Sequence, residues 1–546
     1  MRNKAIRILD GITKASLLLI ALFVGFAFLS AFLFTSYADD MESQTALISW
    51  DNILINLCTI LLGVVLFSLI AFWVCKKAKV RNRILLLLVL GWYLVAGMIL
   101  AVLGRTVPAA DAMSVFSMAE ALAGGDTSVI HAADSYISYY PQQIGLIAFY
   151  EVCIRIWNLL GVSLKAFHFL KCLNVLFACC LVFCQYRIVH LLFQNEKAIC
   201  YYLCFAGANL PLLFYTSFVY GEVPSLTLFF LGIWLLLKIQ KTAKKPALLP
   251  AFLSCLCFAC SVLLRKNMLI PIVALSMVLL LMSIYHKSWR RLVYSVILAV
   301  LSFCILPFTE LIYESRSGNE IATGVPPLAY VAMGMQEASR GSGWYNGFNF
   351  QTYQNSQMDT ALTNEISTQS IQESLARFQE SPSYAFRFYT NKFLTQWTDG
   401  TYACRQATLA TFGGRSPWIQ EIYDGSMSKF FIAFCNAYQN LLYLGCLLFF
   451  CFTIKGWGSP WKKSVGERRI ILSDLYPVIG MIAVFGGFLF HMVWEANSRY
   501  IFPYEIFLLP YCALGLSKIT FTKFHKQKVE NNSQGSLSEL LKQHTV

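Results

Sequence analysis

Long runs of apolar residues recur along most of this chain, and they restrict its possible folds more than any other feature. A helix of about 20 apolar residues spans the roughly 30 Å hydrocarbon core of a bilayer. The runs are continuous rather than alternating, which excludes a transmembrane β-barrel. The sequence therefore predicts an all-α polytopic membrane protein. The candidate spans are 12–36, 53–75, 83–104, 143–160, 166–190, 197–214, 219–238, 247–264, 268–285, 292–312, 430–454, 473–494 and 501–518.

Composition and charge agree with this class of protein. Only 13% of the 546 residues are charged, whereas about a quarter are charged in soluble domains. Much of the net charge of +14 lies in short blocks between the apolar runs. Membrane orientation explains such blocks better than nucleic-acid binding does. We therefore expect membrane lipid as a partner and no nucleic acid.

The basic blocks also predict the topology, because Lys and Arg are enriched in cytoplasmic loops. Both ends of the chain are basic, so we expect both in the cytoplasm. Two termini on the same side of the membrane require an even number of crossings, whereas thirteen apolar runs are present. The run 143–160 is the best candidate for an interfacial helix, because Glu151 and Arg155 share one of its faces and a charge at the bilayer centre costs about 2.5–3.5 kcal/mol. We therefore expect about 12 transmembrane helices.

This topology places nearly every unusual polar segment on the extracytoplasmic side. It predicts two N-terminal spans over 1–82 and a further group of spans over 83–312 whose outer loop is 105–142. A large extracytoplasmic loop (313–429), C-terminal spans (430–518) and a cytoplasmic tail (519–546) follow. The polar composition of the tail predicts disorder, and loops as long as 313–429 are usually functional or disordered.

The stretch RTVPAADAMSVFSMAEALAGGD (105–126) immediately follows the third run. Pro108 is expected near the start of a helix, and Gly124–Gly125 ends it. Between them Asp111, Val115, Met118 and Leu122 recur at three-to-four spacing, which predicts a half-buried helix lying on the membrane. Asp111 lies in the first turn of this helix. As a structural residue it would be stabilised by the helix dipole. As a functional residue it would take a proton from an acceptor hydroxyl at the water–lipid boundary.

Aromatic and amide side chains follow in SYISYYPQQIG (135–145). Tyr136, Tyr139 and Tyr140 are compatible with an interfacial aromatic belt. They also suit stacking against a sugar and hydrogen bonding to it. In the large loop, a polar helix is expected near 357–380. An amphipathic segment (381–400) is expected along the outer leaflet, with its aromatic stripe formed by Phe386, Tyr389, Phe393 and Trp397.

Three basic residues, Arg265, Lys266 and Arg499, are predicted on the outer side, although Lys and Arg are normally enriched in cytoplasmic loops. Singly they could extend into the headgroup region, whereas together with Arg105 they suggest an anion site in the outer leaflet. Glu222 could pair with Arg265 or Lys266, or lie close to an active site.

Glu495 and Arg499 are four residues apart between two spans. A local ion pair would be worth only a few tenths of a kcal/mol if it were exposed. The alternative is that Arg499 contacts a lipid phosphate, because its planar fork matches phosphate oxygens.

A first outer loop with Pro-x-x-Asp, a helix ending in Gly-Gly, and then Tyr-Pro-x-Gln before an apolar helix resembles the GT-C superfamily of membrane glycosyltransferases. It is similar to the bacterial branch related to protein O-mannosyltransferases and lipid A aminoarabinose transferases. The resemblance implies inverting transfer of a sugar from a polyprenyl-phosphate donor to an extracytoplasmic glycan, lipid or protein acceptor. Asp111 matches the catalytic acidic residue of the family, and Glu222 matches an acidic residue near its active site.

On this interpretation Asp111 is the catalytic base. The donor phosphate would be bound by Arg265, Lys266 and Arg499, and the substrates would be contacted by Arg105, Tyr140, Gln142, Glu222 and Glu495. Asp111 has alanine on both sides, where the family often has two adjacent acidic residues. We therefore expect a metal-independent enzyme with no cofactor. The alternatives are a flippase or transporter of a lipid-linked saccharide, which would need polar residues near the mid-membrane, and a polysaccharide polymerase or ligase.

Overall fold

The computed structural model describes residues 2–38, 45–75, 77–108, 110–130, 135–162, 164–242, 248–408, 416–456 and 479–519. The first part of the chain forms α1 (Arg2–Leu33), β1 (Phe34–Ala38), β2 (Ala46–Trp50), α2 (Ile53–Cys75), α3 (Ala78–Leu103), α4 (Ala110–Ala123), α5 (Tyr136–Tyr139), α6 (Ile144–Leu159), α7 (Ala166–Phe193), α8 (Glu196–Ala208), α9 (Leu210–Tyr215), α10 (Glu222–Thr242), α11 (Leu248–Leu264), α12 (Leu269–His286) and α13 (Trp289–Ser317).

The second part forms α14 (Pro327–Gly334), β3 (Glu337–Ala338), β4 (Gly341–Ser342), α15 (Phe348–Asn355), α16 (Thr360–Glu380), α17 (Pro382–Trp397), α18 (Cys404–Ala407), α19 (Pro417–Tyr423), α20 (Met427–Gly456), α21 (Ile479–Val493) and α22 (Phe502–Ser517). Most of the predicted tail, from residue 520 onward, lies outside the described residues.

Nine helices in the described part of the chain are long and apolar enough to cross a membrane. Two further apolar helices, α11 and α21, are shorter. Hydrocarbon offers no hydrogen bonds to the backbone, so a spanning segment must satisfy its N–H and C=O groups internally, as a helix does. The predicted class, an all-α polytopic membrane protein, is therefore confirmed. The nine segments are Ala15–Leu33, Ile53–Val74, Lys79–Leu103, Ala166–Phe193, Glu222–Ile239, Lys266–Ile284, Trp289–Ser317, Met427–Thr453 and Ser498–Ser517.

The last helix, α22, lies at the centre of the bundle and is the most buried of these segments. It packs closely on α20 through two glycines. A Cβ atom on Gly515 would lie 1.9 Å from the carbonyl oxygen of Gly445, and one on Gly445 would lie 2.3 Å from Sγ of Cys512. Small residues at helix contacts allow this close approach of backbones in a membrane.

The run 197–214 forms two helices rather than one, and the break is at Asn209. The Asn209 side-chain oxygen accepts a hydrogen bond from the Leu212 N–H at 2.9 Å and caps α9. Pro211 follows in the first turn, where its missing N–H costs nothing. The Asn209 amide also donates to Oε1 of Glu505 at 2.7 Å, and the Tyr438 hydroxyl donates to the same oxygen at 3.1 Å. The broken helix is thus tied to α22 by a buried polar contact.

The charged residues of α6 are satisfied by neighbouring helices. Glu151 accepts hydrogen bonds from Tyr313, from both terminal nitrogens of Arg316 at 2.8 and 3.0 Å, and from Arg155 at 2.9 Å. Arg155 also donates to the Leu122 carbonyl at the end of α4. Of the described helices, α6 is not among those long and apolar enough to span. It contacts α4, α7 and α13.

The large loop begins after α13, and its helix α17 packs against the bundle. The predicted aromatic stripe is divided between two environments. Phe386 is 76% exposed, whereas Phe393 and Trp397 are buried against Phe23 of α1 and Phe488 of α21. The second half of α17 is therefore part of the core, where the aromatic rings bury more apolar surface than they would on a lipid headgroup layer.

A hairpin of β1 and β2, which the sequence did not predict, covers the same end of the bundle. Its strands pair from Phe34–Trp50 to Ala38–Ala46. The Ser36 N–H donates to the Thr398 carbonyl at 3.2 Å, and the Ala46 N–H donates to the Arg340 carbonyl at 2.9 Å. The hairpin thus joins the N-terminal helices to the large loop.

Candidate functional site

The candidate site is organised around Tyr220, in the turn between α9 and α10. The Tyr220 oxygen accepts a hydrogen bond from Nε2 of Gln143 at 2.9 Å and lies 3.1 Å from the Tyr136 hydroxyl. The next residue, Gly221, has a φ of 91°, and a Cβ there would lie 3.0 Å from the Leu264 carbonyl oxygen. Glycine is required at this position because the backbone conformation is left-handed and the end of α11 is so near.

Two arginine side chains lie over the ring of Tyr220. Cζ of Arg265 is 4.9 Å from the ring centre, and Cζ of Arg499 is 5.5 Å from it. Arg499 also lies 5.6 Å from the ring centre of Phe218 and 5.4 Å from that of Tyr500. Rings within about 6 Å attract a cation electrostatically, and more strongly where water is excluded. We call Tyr136, Gln143, Tyr220, Arg265 and Arg499 the Tyr220 cluster.

Glu222 holds Arg265 in this position. Oε1 of Glu222 lies 2.9 Å from Nη2 of Arg265, and the two side chains are 3% and 13% exposed. The pairing that the sequence allowed between Glu222 and Arg265 is thus present. Arg499 has no such salt bridge in the described part of the chain, and its buried Nε has no hydrogen-bond partner there. Because buried donors are normally satisfied, Arg499 is the cation of the cluster best able to take an anionic ligand.

Asp111 lies exposed in the first turn of α4, and its charge acts on the Tyr220 cluster. Burial raises the pKa of Tyr220, and the Asp111 carboxylate raises it further. Burial likewise raises the pKa of Tyr140 and of Tyr345, again with a contribution from Asp111. The Asp111 carboxylate is therefore close enough for its charge to act on Tyr220, Tyr140 and Tyr345, although no hydrogen bond or salt bridge joins it to them among the described residues.

The helix that carries Asp111 has the predicted extent, and Val115, Met118 and Leu122 of the predicted face are buried. Asp111 was predicted on the same half-buried face but is exposed, because it lies in the first turn, at the open end of the helix. The buried residues of the helix are Ala112, Val115, Phe116, Met118, Ala119 and Leu122. The N–H groups of Gly124 and Gly125 donate to the last carbonyls, and Gly125 has a φ of 94°. The helix begins at Ala110, two residues after Pro108. Upstream, Lys171 donates to the Thr106 carbonyl at 3.0 Å, which fixes the segment between α3 and α4.

Glu495 is a second carboxyl group beside the cluster. It is 8% exposed, and the Tyr500 hydroxyl donates to its Oε1 at 3.2 Å. Burial raises the pKa of Glu495 to about 7, although Arg499 and the Tyr500 hydroxyl oppose the shift. No salt bridge joins Glu495 to Arg499 among the described residues, because the guanidinium of Arg499 lies over Tyr220 instead.

The backbone that carries Glu495 is clamped on both sides by the large loop. Lys392 of α17 is fully buried and donates to the carbonyls of Trp494 (2.7 Å) and Gly334. The Ala496 N–H donates to the Gly343 carbonyl at 2.7 Å. Burial lowers the pKa of Lys392 to about 7, so its ammonium group loses a proton more readily than that of an exposed lysine. The Trp494 ring stacks on Tyr330 of α14, with ring centres 5.0 Å apart.

Five residues proposed from the sequence make no hydrogen bond, salt bridge or cation–π contact with the Tyr220 cluster within the described part of the chain, namely Asp111, Glu495, Lys266, Arg105 and Gln142. Lys266 is exposed and its charge acts on Glu310 of α13. Arg105 is exposed, with a φ of 55°. Gln142 is half-buried, and its neighbour Gln143 makes the contact with Tyr220.

The sequence reasoning missed four residues of this region, namely Tyr136 as a cluster member, Gln143, Tyr220 and Lys392. Tyr220 could have been predicted from the sequence, since it directly precedes Gly221 and the candidate residue Glu222. Lys392 was harder to predict than Tyr220, because the sequence shows it only as a basic residue within an aromatic-rich helix. Gln142 and Gln143 could not be distinguished without the local helix geometry.

The described residues contain no group of three or more His, Cys, Asp or Glu side chains that could hold a metal ion. A comparison of the chain with models of protein families and with curated proteins finds no match.

Proposed function

We propose that this protein transfers a sugar, with inversion, from a polyprenyl-phosphate donor to an acceptor hydroxyl outside the cytoplasm. The observation that carries the proposal is the position of Arg265 and Arg499 over one ring, that of Tyr220, on which the charge of Asp111 also acts. Cations held beside an acceptor-side carboxylate are what glycosyl transfer from a lipid phosphate requires. The resemblance of the outer loop to GT-C glycosyltransferases supports the same class of reaction.

The donor phosphate would lie against Arg499, whose Nε lacks a partner, with Arg265 supplying a second positive charge. Arg265 is already paired with Glu222, which fixes its position and leaves part of its charge neutralised. Lys266 and Arg105 would act at a distance on an anionic headgroup, because both are exposed at the same end of the bundle. Tyr140 and Gln142 would contact the sugar, since Tyr140 is only half-buried and lies near Tyr136, with ring centres 5.0 Å apart.

In the reaction, Asp111 takes the proton of the acceptor hydroxyl while the acceptor oxygen forms a bond to C1 of the sugar. The bond between C1 and the phosphate oxygen breaks, and its electron pair leaves with the polyprenyl phosphate. The two guanidinium groups stabilise the charge that develops on the departing phosphate. Attack from the face opposite the leaving group inverts the configuration at C1.

The proposed membrane arrangement has twelve crossings. The nine long apolar helices, the shorter helices α11 and α21, and the broken segment α8–α9 make up this number. An even number agrees with both termini in the cytoplasm, as the basic ends of the chain predict. The Tyr220 cluster, the large loop and the hairpin then lie on the extracytoplasmic side.

The test is incubation of the purified protein in liposomes with a polyprenyl-phosphate sugar, followed by separation of the lipid products. The proposal predicts release of polyprenyl phosphate and appearance of the sugar on an added acceptor. Movement of intact donor between leaflets without cleavage would identify a flippase instead. Growth of a polymer on a lipid diphosphate carrier would identify a polymerase or ligase.

A further inference from the structure

A second carboxyl group, that of Glu495, lies near Arg499, and the sequence predicts only a substrate contact for it. Glu495 follows α21 directly, and the hydrogen bonds of Lys392 to the Trp494 carbonyl and of the Ala496 N–H to Gly343 fix its backbone. The Glu495 carboxyl is therefore held in place on a rigid segment. Groups fixed in this way by packing and hydrogen bonds are typical of functional sites.

The Glu495 carboxyl and the Arg499 guanidinium are joined through one tyrosine. Tyr500 donates to Oε1 of Glu495 at 3.2 Å, and the ring of the same Tyr500 lies 5.4 Å from Cζ of Arg499. Glu495 and Arg499 thus contact the same residue, Tyr500, one through its hydroxyl and the other through its ring. The charge of Asp111 in α4 also acts on Tyr140, Tyr345 and Glu495.

The charged and titratable groups that face Glu495 come from every element packed around it. They are Asp111 of α4, Tyr140 before α6, Tyr330 of α14, Arg340 and Tyr345 of the large loop, Lys392 of α17, His491 of α21, and Arg499 and Tyr500 of its own segment. Burial outweighs the two arginines, so the pKa of Glu495 is raised to about 7, and the group is partly protonated at neutral pH. A buried carboxyl group whose pKa is raised in this way is suited to donate a proton.

We propose that Glu495 is the proton donor to the departing lipid phosphate, acting opposite the base Asp111. This assignment rests on the proposed function. As the bond from C1 to the phosphate oxygen breaks, the electron pair goes to phosphate and the proton of Glu495 moves to a phosphate oxygen. Asp111 later releases its proton to water, and Glu495 takes up a proton from water. The enzyme thus returns to its starting state.

The first test is the pH dependence of transfer. The wild-type rate should fall as pH rises through about 7, because Glu495 loses its proton there. Glu495→Gln should lower kcat by about 100-fold or more and remove this alkaline fall, with little change in donor KM. Glu380→Gln, which alters an exposed carboxyl of the large loop, should behave as wild type.

A donor substrate with a better leaving group distinguishes between two roles of Glu495, that of proton donor and that of a structural residue. A polyprenyl phosphorothioate sugar releases a thiophosphate that needs less protonation. The difference in rate between the wild type and Glu495→Gln should therefore shrink on this donor. An equal loss on both donors, or a variant with wild-type rate and pH profile, would overturn the assignment while leaving the transfer reaction established.

A third measurement does not depend on turnover. Infrared difference spectra of the wild type against Glu495→Gln should show a protonated carboxyl band that disappears on titration through about pH 7. Farnesyl phosphate, a short isoprenyl monophosphate, should raise the midpoint, because an adjacent anion favours the protonated form. A midpoint that saturating farnesyl phosphate does not move would overturn the position of Glu495 beside the phosphate. Wild-type protein that releases no polyprenyl phosphate from any donor would instead refute the proposed function.

Discussion

The guanidinium of Arg499 lies over the ring of Tyr220, with Cζ 5.5 Å from the ring centre. This contact joins the turn before α10 to the turn before α22, two segments far apart in the chain. Arg265 lies over the same ring from the end of α11. Three turns between helices therefore meet at one aromatic side chain, and the proposed donor site depends on that meeting.

Replacing Tyr220 tests whether the ring holds the two arginines for the donor. Tyr220→Leu should raise the donor KM by about tenfold, because cation–π contacts that exclude water are worth about 1–2 kcal/mol. Tyr220→Phe keeps the ring and should have a smaller effect, although it loses the contacts with Tyr136 and Gln143. Tyr186→Leu, at a half-buried tyrosine of α7, serves as the matched control. An unchanged donor KM in Tyr220→Leu would refute the role of the ring.

The ion pair between Glu222 and Arg265 should show strong coupling in a double-mutant cycle. Removing one partner of a buried pair leaves an uncompensated charge and costs about 3–5 kcal/mol. Each of Glu222→Gln and Arg265→Met should therefore lower the free energy of unfolding, whereas the double variant should lose less than the sum. The measurement is chemical denaturation in detergent micelles. Additive losses would mean that the two side chains do not interact in the folded protein.

Glu151 should make the free energy of unfolding depend on pH in the acid range. Although burial opposes ionisation, the hydrogen bonds from Arg316, Tyr313 and Arg155 lower the pKa of Glu151 below its ordinary value. Its contribution is thus present above the unfolded pKa of about 4.3 and is lost as pH falls through the lower folded value. The stability advantage of the wild type over Glu151→Gln should shrink in that window. Glu320→Gln, at an exposed carboxyl, should show no such change.

Cysteine labelling in intact cells tests the proposed orientation. Glu380→Cys in the large loop should react with a membrane-impermeant maleimide before the cells are permeabilised. Lys287→Cys, in the turn between α12 and α13, should react only afterwards. Both positions are exposed in the structure. The unaltered protein measures labelling of the native cysteines, and the reverse order of labelling would place the Tyr220 cluster on the cytoplasmic side.

Most of the helical architecture could be predicted from the sequence because a membrane allows few alternatives. The runs at 53–75 and 247–264 agree with α2 and α11 to within a residue. The break at Asn209 could not be derived from hydropathy, since it depends on a side chain that caps α9 and contacts Glu505. The hairpin of β1 and β2 depends on backbone bonds to Thr398 and Arg340, which lie far away in the sequence.

The candidate site was only partly predictable for a similar reason. Asp111, Arg265 and Arg499 stood out because charges are rare beside apolar runs, and the turn at Tyr220 was noted for Glu222. The choice between Gln142 and Gln143 depended on the 3-10 turn Pro141–Gln143, which directs the second amide at Tyr220. The sequence does not indicate that α17 buries Lys392 against the Trp494 carbonyl, because that contact joins segments about a hundred residues apart.

The most direct test of the central claim compares the wild type with Asp111→Asn in a single assay. Purified protein is given a labelled polyprenyl-phosphate sugar and an acceptor, and both bound donor and released polyprenyl phosphate are measured. Because only the base is removed, donor binding should be unchanged while release falls by at least about 100-fold. Release at the wild-type rate from Asp111→Asn would contradict the account, since the acceptor proton would then have to go elsewhere.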